Sequence, residues 1–236
     1  MMIAKNKLFK TLLLCIVLML PFAGYAQKQY KVYKTNGEEI VYDYSEIDSI
    51  VIKNYTVSPI EEDCEYVDLG LSVKWATHNL GAQKVYDVGD YFAWAEVETK
   101  NSFTDKNCTT IDIEIEDFKG NPEYDAATYT LGEGWRMPTH EECEELSLNC
   151  LWEWTEVNGK GGFKITGPSG KSIFLPAGGY KYGSFVSEDN INGYYWTSTP
   201  DHVGVALCLS FMIGDWCGGW AKAYRDNGFP IRPVHE

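Results

Sequence analysis

Turn-forming dipeptides recur through residues 64–236 and limit the length of every secondary-structure element between them. Each combines a residue that favours a turn with a glycine or proline, and short apolar runs separate them. The clearest are Asn158-Gly159, Gly167-Pro168, Asn192-Gly193 and Asn227-Gly228. The chain also has eight tryptophans, whose large side chains suit a core assembled from short elements and loops. The pattern predicts an α+β domain of short antiparallel strands and ordered loops with few helices.

Four consecutive parts are predicted along the chain. Residues 1–26 combine three lysines with an apolar run that ends in small residues, which is typical of a cleaved signal peptide. Residues 27–53 predict a small β-hairpin unit around Asn36-Gly37, followed by a third strand at residues 50–52. Residues 54–63 are a polar linker, and residues 64–236 are long enough for one globular domain.

Charge and export restrict the possible partners. The formal net charge is −14, and loss of the signal would make it more negative, so nucleic acid is excluded as a partner. The apolar run is too short for a comfortable membrane span, so no integral membrane segment is expected after cleavage. We expect a secreted, cell-surface or periplasmic protein. The connectivity of the cysteines outside the signal stays open at Cys64, Cys108, Cys143, Cys150, Cys208 and Cys217.

The segment THEECEEL, residues 139–146, places His140 beside acids and a cysteine and could be a metal site or a piece of scaffold. Thr139 and Glu142 have the spacing of a capping box, in which each side chain accepts a hydrogen bond from the backbone of the other. The acids near Glu142 also lie at the positive end of the helix dipole. Apolar residues recur at helical spacing at Cys143, Leu146 and Cys150. We therefore predict a scaffold helix that needs no metal.

Seven segments follow one another in an order that resembles a bacterial domain family. They are EYVDLGLSVKWATHNLGA, GDYFAWAE, YDAATYTLGEGWRMPTHEECEEL, NCLWEWT, ITGPSGKSIFLPAGGY, GYYWTST and NGFPIRPV. From about residue 65 to residue 234 the chain is similar to the FISUMP-type, or major paralogous, domain of exported proteins in fibre-degrading and gut bacteria. The resemblance implies a C-type-lectin-like fold with two helices, short antiparallel sheets, neighbouring termini and a long loop region that can carry binding sites.

Relatives of that fold include variable display proteins, in which the C-terminal strands and loops contact ligands. The corresponding stretch, residues 199–228, mixes aromatic and charged residues with glycines, as evolved binding surfaces do. We expect an exported, non-catalytic ligand-binding or adhesion module whose ligand is a glycan or a protein at a cell surface. The predicted ligand-binding residues are Asp201, His202, Trp216, Trp220, Tyr224 and Arg225.

Two alternatives stay open. The aromatic residues of the same stretch would also fit a purely structural cell-surface domain, with tryptophans in the core. Formylglycine-generating oxidases share the fold family, and such an enzyme would use Cys208 and Cys217. A two-residue turn at Ile213-Gly214 would place those thiols diagonally across a hairpin. No base is apparent near them, so the sequence predicts no enzyme, no cofactor and no metal ligand.

Residues 111–118 alternate apolar and acidic side chains, which predicts a strand with one face in water. Asp117, Glu123 and Asp125 form the best acidic cluster for a calcium site, but such a site would need several oxygens that converge from separate loops.

Overall fold

The structure is a computed structural model that describes the backbone of residues 29–33 and 39–43, and residues 65–236 except Asp215 and the side chains of Trp216 and Cys217. The predicted signal peptide, the turn Asn36-Gly37, the third strand at residues 50–52 and the linker therefore lie outside the described residues. The chain forms two compact units, one containing the first two strands and the other containing the residues from 65 onwards.

The first unit contains strands β1 (Gln29–Tyr33) and β2 (Glu39–Asp43). They pair antiparallel with Val32 opposite Ile40, which confirms the two strands predicted on either side of the turn dipeptide.

The second unit begins and ends in one small sheet. Its strands, in chain order, are β3 (Tyr66–Val67), β4 (Lys74–Ala76), β5 (Trp135–Arg136) and β14 (Val234–His235). The spatial order is β3-β4-β14-β5, so the last strand lies between strands from the beginning and the middle of the unit. Helices α1 (Ala126–Leu131) and α2 (His140–Asn149) lie on either side of β5 in sequence.

The remaining strands form three antiparallel sheets in sequence order. The first sheet contains β6 (Leu151–Val157), β7 (Lys160–Thr166) and β8 (Ser172–Pro176). A hairpin contains β9 (Tyr180–Tyr182) and β10 (Phe185–Ser187). The last sheet contains β11 (Asn192–His202), β12 (Val205–Met212) and β13 (Trp216–Tyr224).

Alternation along β11 and β12 places two hydrophobic cores on opposite faces of the last sheet. Tyr195 and Leu209 pack with residues of β6–β8 and α2, whereas Trp196 and Cys208 pack with Trp94 and other residues of the long loops. Successive side chains of a strand point to opposite faces, so one short sheet organises both cores.

The structure confirms the coarse fold prediction: antiparallel sheets dominate the described residues, and two α-helices accompany them. The predicted strand at residues 111–118 is wrong, because this segment is an irregular loop that buries only Ile115 and Phe118. In the part of the chain that the structure describes, no helix has the length and apolarity needed to cross a membrane.

The predicted capping box is confirmed at the start of α2. The Glu142 backbone N–H donates to Thr139 Oγ1 at 3.3 Å, and the Thr139 N–H donates to Glu142 Oε2 at 2.9 Å. Arg136 adds a two-pronged contact to the same carboxylate, with distances of 2.8 and 2.6 Å. The neighbouring guanidinium and the N–H of Thr139 outweigh burial and lower the pKa of Glu142. Cys143 and Leu146 are buried as predicted.

Thr139→Ala is expected to reduce the free energy of unfolding by about 0.5 to 2 kcal/mol, because it leaves the first turn of α2 without its side-chain acceptor. Urea denaturation followed by circular dichroism would measure the loss. Thr139→Ser retains the hydroxyl and serves as the matched control, with a smaller loss expected. Equal losses in the two variants would show that the methyl group of Thr139, rather than its hydrogen bond, supports the helix.

Candidate functional site

Two of the predicted ligand-binding residues lie in one row across the last sheet. His202 is opposite Val205 in the β11–β12 register, and Val205 is opposite Tyr224 in the β12–β13 register. The side chain of His202 is exposed, and Tyr224 is 68 % exposed. This end of the sheet therefore presents an imidazole and a phenol together to solvent.

The row forms one wall of an open cleft with a volume of about 570 Å³. Two isolated backbone bridges assemble the other walls: Lys181 pairs with Gly228, and Phe103 pairs with Gly183. They bring the β9–β10 hairpin and the short 3-10 helix Asp105–Asn107 to the end of β13. The residues around the cleft are Asp105, Ile111, Asp112, Tyr182, His202, Val203, Gly204, Val205, Tyr224, Asp226 and Asn227.

The prediction that Arg225 is a surface ligand contact is wrong, because the residue is only 1 % exposed. Its Nη1 donates to the carbonyls of Thr110 and Ile113 at 3.0 and 2.6 Å, and its Nη2 donates to the carbonyl of His202 at 3.3 Å. The guanidinium also lies 4.2 Å from the centre of the Trp94 ring. Burial lowers the pKa of Arg225. Arg225 therefore ties the 110–113 loop to the β11–β12 turn beneath the cleft.

Asp201 lies beside the cleft rather than in its lining. One oxygen of its carboxylate is 2.6 Å from Lys222 Nζ, and the other accepts a short hydrogen bond from the His202 ring. These contacts, with Lys222 the stronger, lower the pKa of Asp201. The carboxylate of Asp201 is therefore engaged by its neighbours, and it orients the ring of His202.

Trp220 is 52 % exposed and belongs to a different part of the sheet. Its ring meets the ring of His140 edge to face at 5.8 Å, which places it against the start of α2. Tyr224 is four positions further along the strand, or about 13 Å away in an extended strand. The six predicted residues therefore do not form one cluster, since Trp220 shares a face of the sheet with Tyr224 but lies farther along β13 and does not line the cleft.

The side chains of Trp216 and Cys217 lie outside the described residues, so the binding role of Trp216 stays a prediction. The backbone register nevertheless differs from the one expected for the oxidase alternative. Cys208 is opposite Ala221, and a bulge interrupts the pairing between Ser210 and Met212. Position 217 is therefore four residues from the partner of Cys208 and not its diagonal neighbour. Burial raises the pKa of the Cys208 thiol to about 12, which disfavours the reactive thiolate.

The prediction from the sequence did not include the cleft residues that lie outside the stretch 199–228. Asp105, Asp112 and Tyr182 precede the predicted binding stretch and reach it through pairings that are distant in sequence. Asp226 lies within the stretch, but a strand-end aspartate next to a turn carries no local signal that it lines a cleft. The one sequence signal for this half of the cleft is a tyrosine in the hairpin YKYGSF, since tyrosine is common on binding surfaces.

Two of the three acids considered for a calcium site accept hydrogen bonds that support the scaffold. Asp125 is fully buried, and its two oxygens accept hydrogen bonds from the backbone N–H groups of Gly120, Ala127, Thr128 and Met137. Asp117 accepts hydrogen bonds from the side chains of Ser198 and Thr199. Across the described ranges, no group of three His, Cys, Asp or Glu residues is arranged to hold a metal ion.

Among known proteins, no family model matches the chain, and no curated protein or solved structure matches it.

Proposed function

We propose that this chain is an exported, non-catalytic ligand-binding or adhesion module of C-type-lectin-like fold, with its ligand site in the cleft at the end of the β11–β13 sheet. The fold part of the proposal is supported by the small antiparallel sheets, the two helices and the pairing of β14 with β4. The long stretch between β4 and α1, which contains only a short 3-10 helix, agrees with the loop region that the resemblance implies.

The observation that carries the functional part is the joint exposure of two tyrosines around one concave surface. Tyr182 and Tyr224 are 63 % and 68 % exposed, and both line the cleft together with His202. Large aromatic side chains grouped in water are unusual on a soluble monomer unless a partner covers them. Tyrosine also supplies contact area with little loss of conformational entropy, which is why binding surfaces contain so much of it.

The test is a glycan and protein array probed with the exported chain, followed by titration of each retained ligand. Tyr224→Ala and His202→Ala are each expected to weaken binding by more than about 1 kcal/mol, because both remove contact area at the cleft. Their melting temperatures should change little, since both side chains are exposed.

Tyr129→Ala is the matched control, because Tyr129 is an exposed tyrosine on α1 that does not line the cleft. Its binding should equal that of the parent protein. Trp220→Ala should also retain binding, since its ring packs on His140 away from the cleft. Undiminished binding in both Tyr224→Ala and His202→Ala would move the site elsewhere, and the absence of any retained ligand would count against the proposal.

A further inference from the structure

Three aspartates line the cleft, and none of them forms an ion pair with a described lysine or arginine. Asp105 and Asp112 are exposed, and Asp226 is only 8 % exposed. No ion pair or hydrogen bond joins any of the three side chains to another residue in the described part of the chain; the carboxylate of Asp226 accepts only from its own backbone N–H. Buried carboxylates are ordinarily paired or extensively hydrogen-bonded, whereas Asp226 has only its own backbone donor and, beyond ion-pair distance, the charge of Lys100.

Burial makes the ionised form of Asp226 less favourable than it would be in water. Burial and, after it, the charge of Asp105 raise the pKa of the Asp226 carboxyl, against the opposing effects of its own backbone N–H and of Lys100. Burial also raises the pKa of Asp125, but four backbone N–H groups donate to that carboxylate. Asp226 has fewer donors than Asp125 and lines an open cleft, where a ligand can reach it.

Two cations near the cleft are engaged with other groups, and the charge of one of them, Lys100, also acts on Asp226. Lys100 pairs with Glu96 at 2.5 Å and donates to the Asn107 carbonyl at 2.7 Å. The guanidinium of Arg225 donates to three backbone carbonyls and to none of the aspartates. The cleft therefore retains negative charge that no described lysine or arginine pairs with directly.

The remaining walls are apolar or aromatic. Ile111, Val203 and Val205 contribute aliphatic surface, and the rings of Tyr182 and Tyr224 stand exposed at the same cleft. Aromatic faces attract cations, and aliphatic walls favour a ligand with a hydrocarbon stem. A sugar without charge would use the rings but would leave the buried carboxylate without a counter-charge.

We propose that the cleft binds an alkylammonium group, as presented by a lysine side chain on a protein partner, with the ammonium at Asp226 and the stem between the aliphatic and tyrosine walls. This inference rests on the proposed function and specifies the chemistry of its ligand. Asp105 and Asp112 strengthen the negative potential at the mouth of the cleft, and Tyr182 and Tyr224 contact the cation or its stem.

The test compares two pairs of small probes by calorimetric titration of the full exported chain at low ionic strength. The first pair is N-acetyl-lysine amide and N-acetyl-norleucine amide, which differ by the ammonium group. The second pair is glucosamine and glucose. The lysine probe is expected to bind about tenfold more tightly than the norleucine probe. Added salt should reduce this difference, because the mouth of the cleft is open to solvent.

Asp226→Asn should reduce the lysine preference about tenfold while the melting temperature stays the same or rises, because the variant removes a charge that burial disfavours. Glu133→Gln is the matched control, since it removes one negative charge at an exposed position outside the cleft. It should retain the full preference. If Asp226→Asn fails to fold, Asp112→Asn takes its place, with a smaller reduction expected because Asp112 is exposed.

Equal affinity for the lysine and norleucine probes would overturn the inference, as would an unchanged preference in the aspartate variants. A charge preference confined to glucosamine would assign the cleft to amino sugars and also overturn it. In either case an array ligand that is lost in Tyr224→Ala would leave the proposed binding function standing. If the lysine preference is absent and no array ligand is lost in Tyr224→Ala, the proposed binding function itself is wrong.

Discussion

Replacement of Arg232 by methionine is expected to lower the free energy of unfolding by at least about 3 kcal/mol. The guanidinium is fully buried and forms no ion pair with a described carboxylate. It donates instead to Asn79 Oδ1 at 2.8 Å and to the backbone carbonyls of Ala76, Thr77 and Phe174 at 2.8 to 3.2 Å. Arg232 thus joins β4 and the residues after it to β8.

The expected loss of stability comes mainly from the hydrogen-bond acceptors that are left without a donor when Arg232 is replaced. Methionine fills much of the space of the aliphatic stem, so the cavity is small, but four buried oxygens lose their donor. Each unsatisfied buried group costs about 1 to 3 kcal/mol, and relaxation or entry of water recovers part of the sum. Arg232→Lys keeps the charge with fewer and differently placed donors, so its loss should be intermediate.

Chemical denaturation monitored by tryptophan fluorescence would measure these losses. Lys171→Met is the control, because Lys171 is exposed in a turn and its side chain has no described hydrogen bond. Its stability should change by no more than about 0.5 kcal/mol. A loss below about 1 kcal/mol in Arg232→Met would show that the surrounding carbonyls find other donors.

Local interactions explain which parts of the fold could be predicted from the sequence. The capping box depends on Thr139 and Glu142 alone, which are three residues apart, so its spacing carried the full signal. The alternation of residues 111–118 had the period of a strand but no strand forms there. Arg225 takes the carbonyl of Ile113 as a hydrogen-bond acceptor, and Ile115 and Phe118 enter the core around Trp94. Contacts from distant residues outweighed the local pattern.

The residues of the candidate site also divide into those that the local sequence could predict and those that depend on distant contacts. His202 and Tyr224 were predicted because they lie in one stretch, and the register brings them into one row. Composition could not distinguish them from Arg225, whose side chain enters the interior directly after β13, or from Trp220, which packs on His140. Asp105, Asp112 and Tyr182 reach the cleft only through tertiary pairings, and no sequence period encodes such pairings.

Replacement of Arg225 by methionine is expected to lower both the stability of the fold and the affinity for a ligand, whereas Arg232→Met lowers only the stability. The loss of stability should be about 2 to 3 kcal/mol, because one buried and two partly buried carbonyls lose their donor and the contact with the Trp94 ring is lost. The loss of affinity should appear in the protein that remains folded. Methionine cannot hold the carbonyls of Ile113 and His202 to one point, and His202 and Asp112, the neighbour of Ile113, both line the cleft.

The two arginine variants therefore separate the stability of the fold from the geometry of the cleft. Affinity should be measured well below both melting temperatures, where each variant is folded by circular dichroism. Arg232→Met should then bind as the parent protein does, since Arg232 contacts no residue that lines the cleft. Arg225→Met should bind at least about tenfold more weakly, because misplacing a cleft wall costs about as much as losing a central contact. Equal affinities in the two variants would show that the 110–113 loop and the β11–β12 turn keep their positions without Arg225. The backbone pairings of Lys181 with Gly228 and of Phe103 with Gly183 would then be enough to hold the cleft.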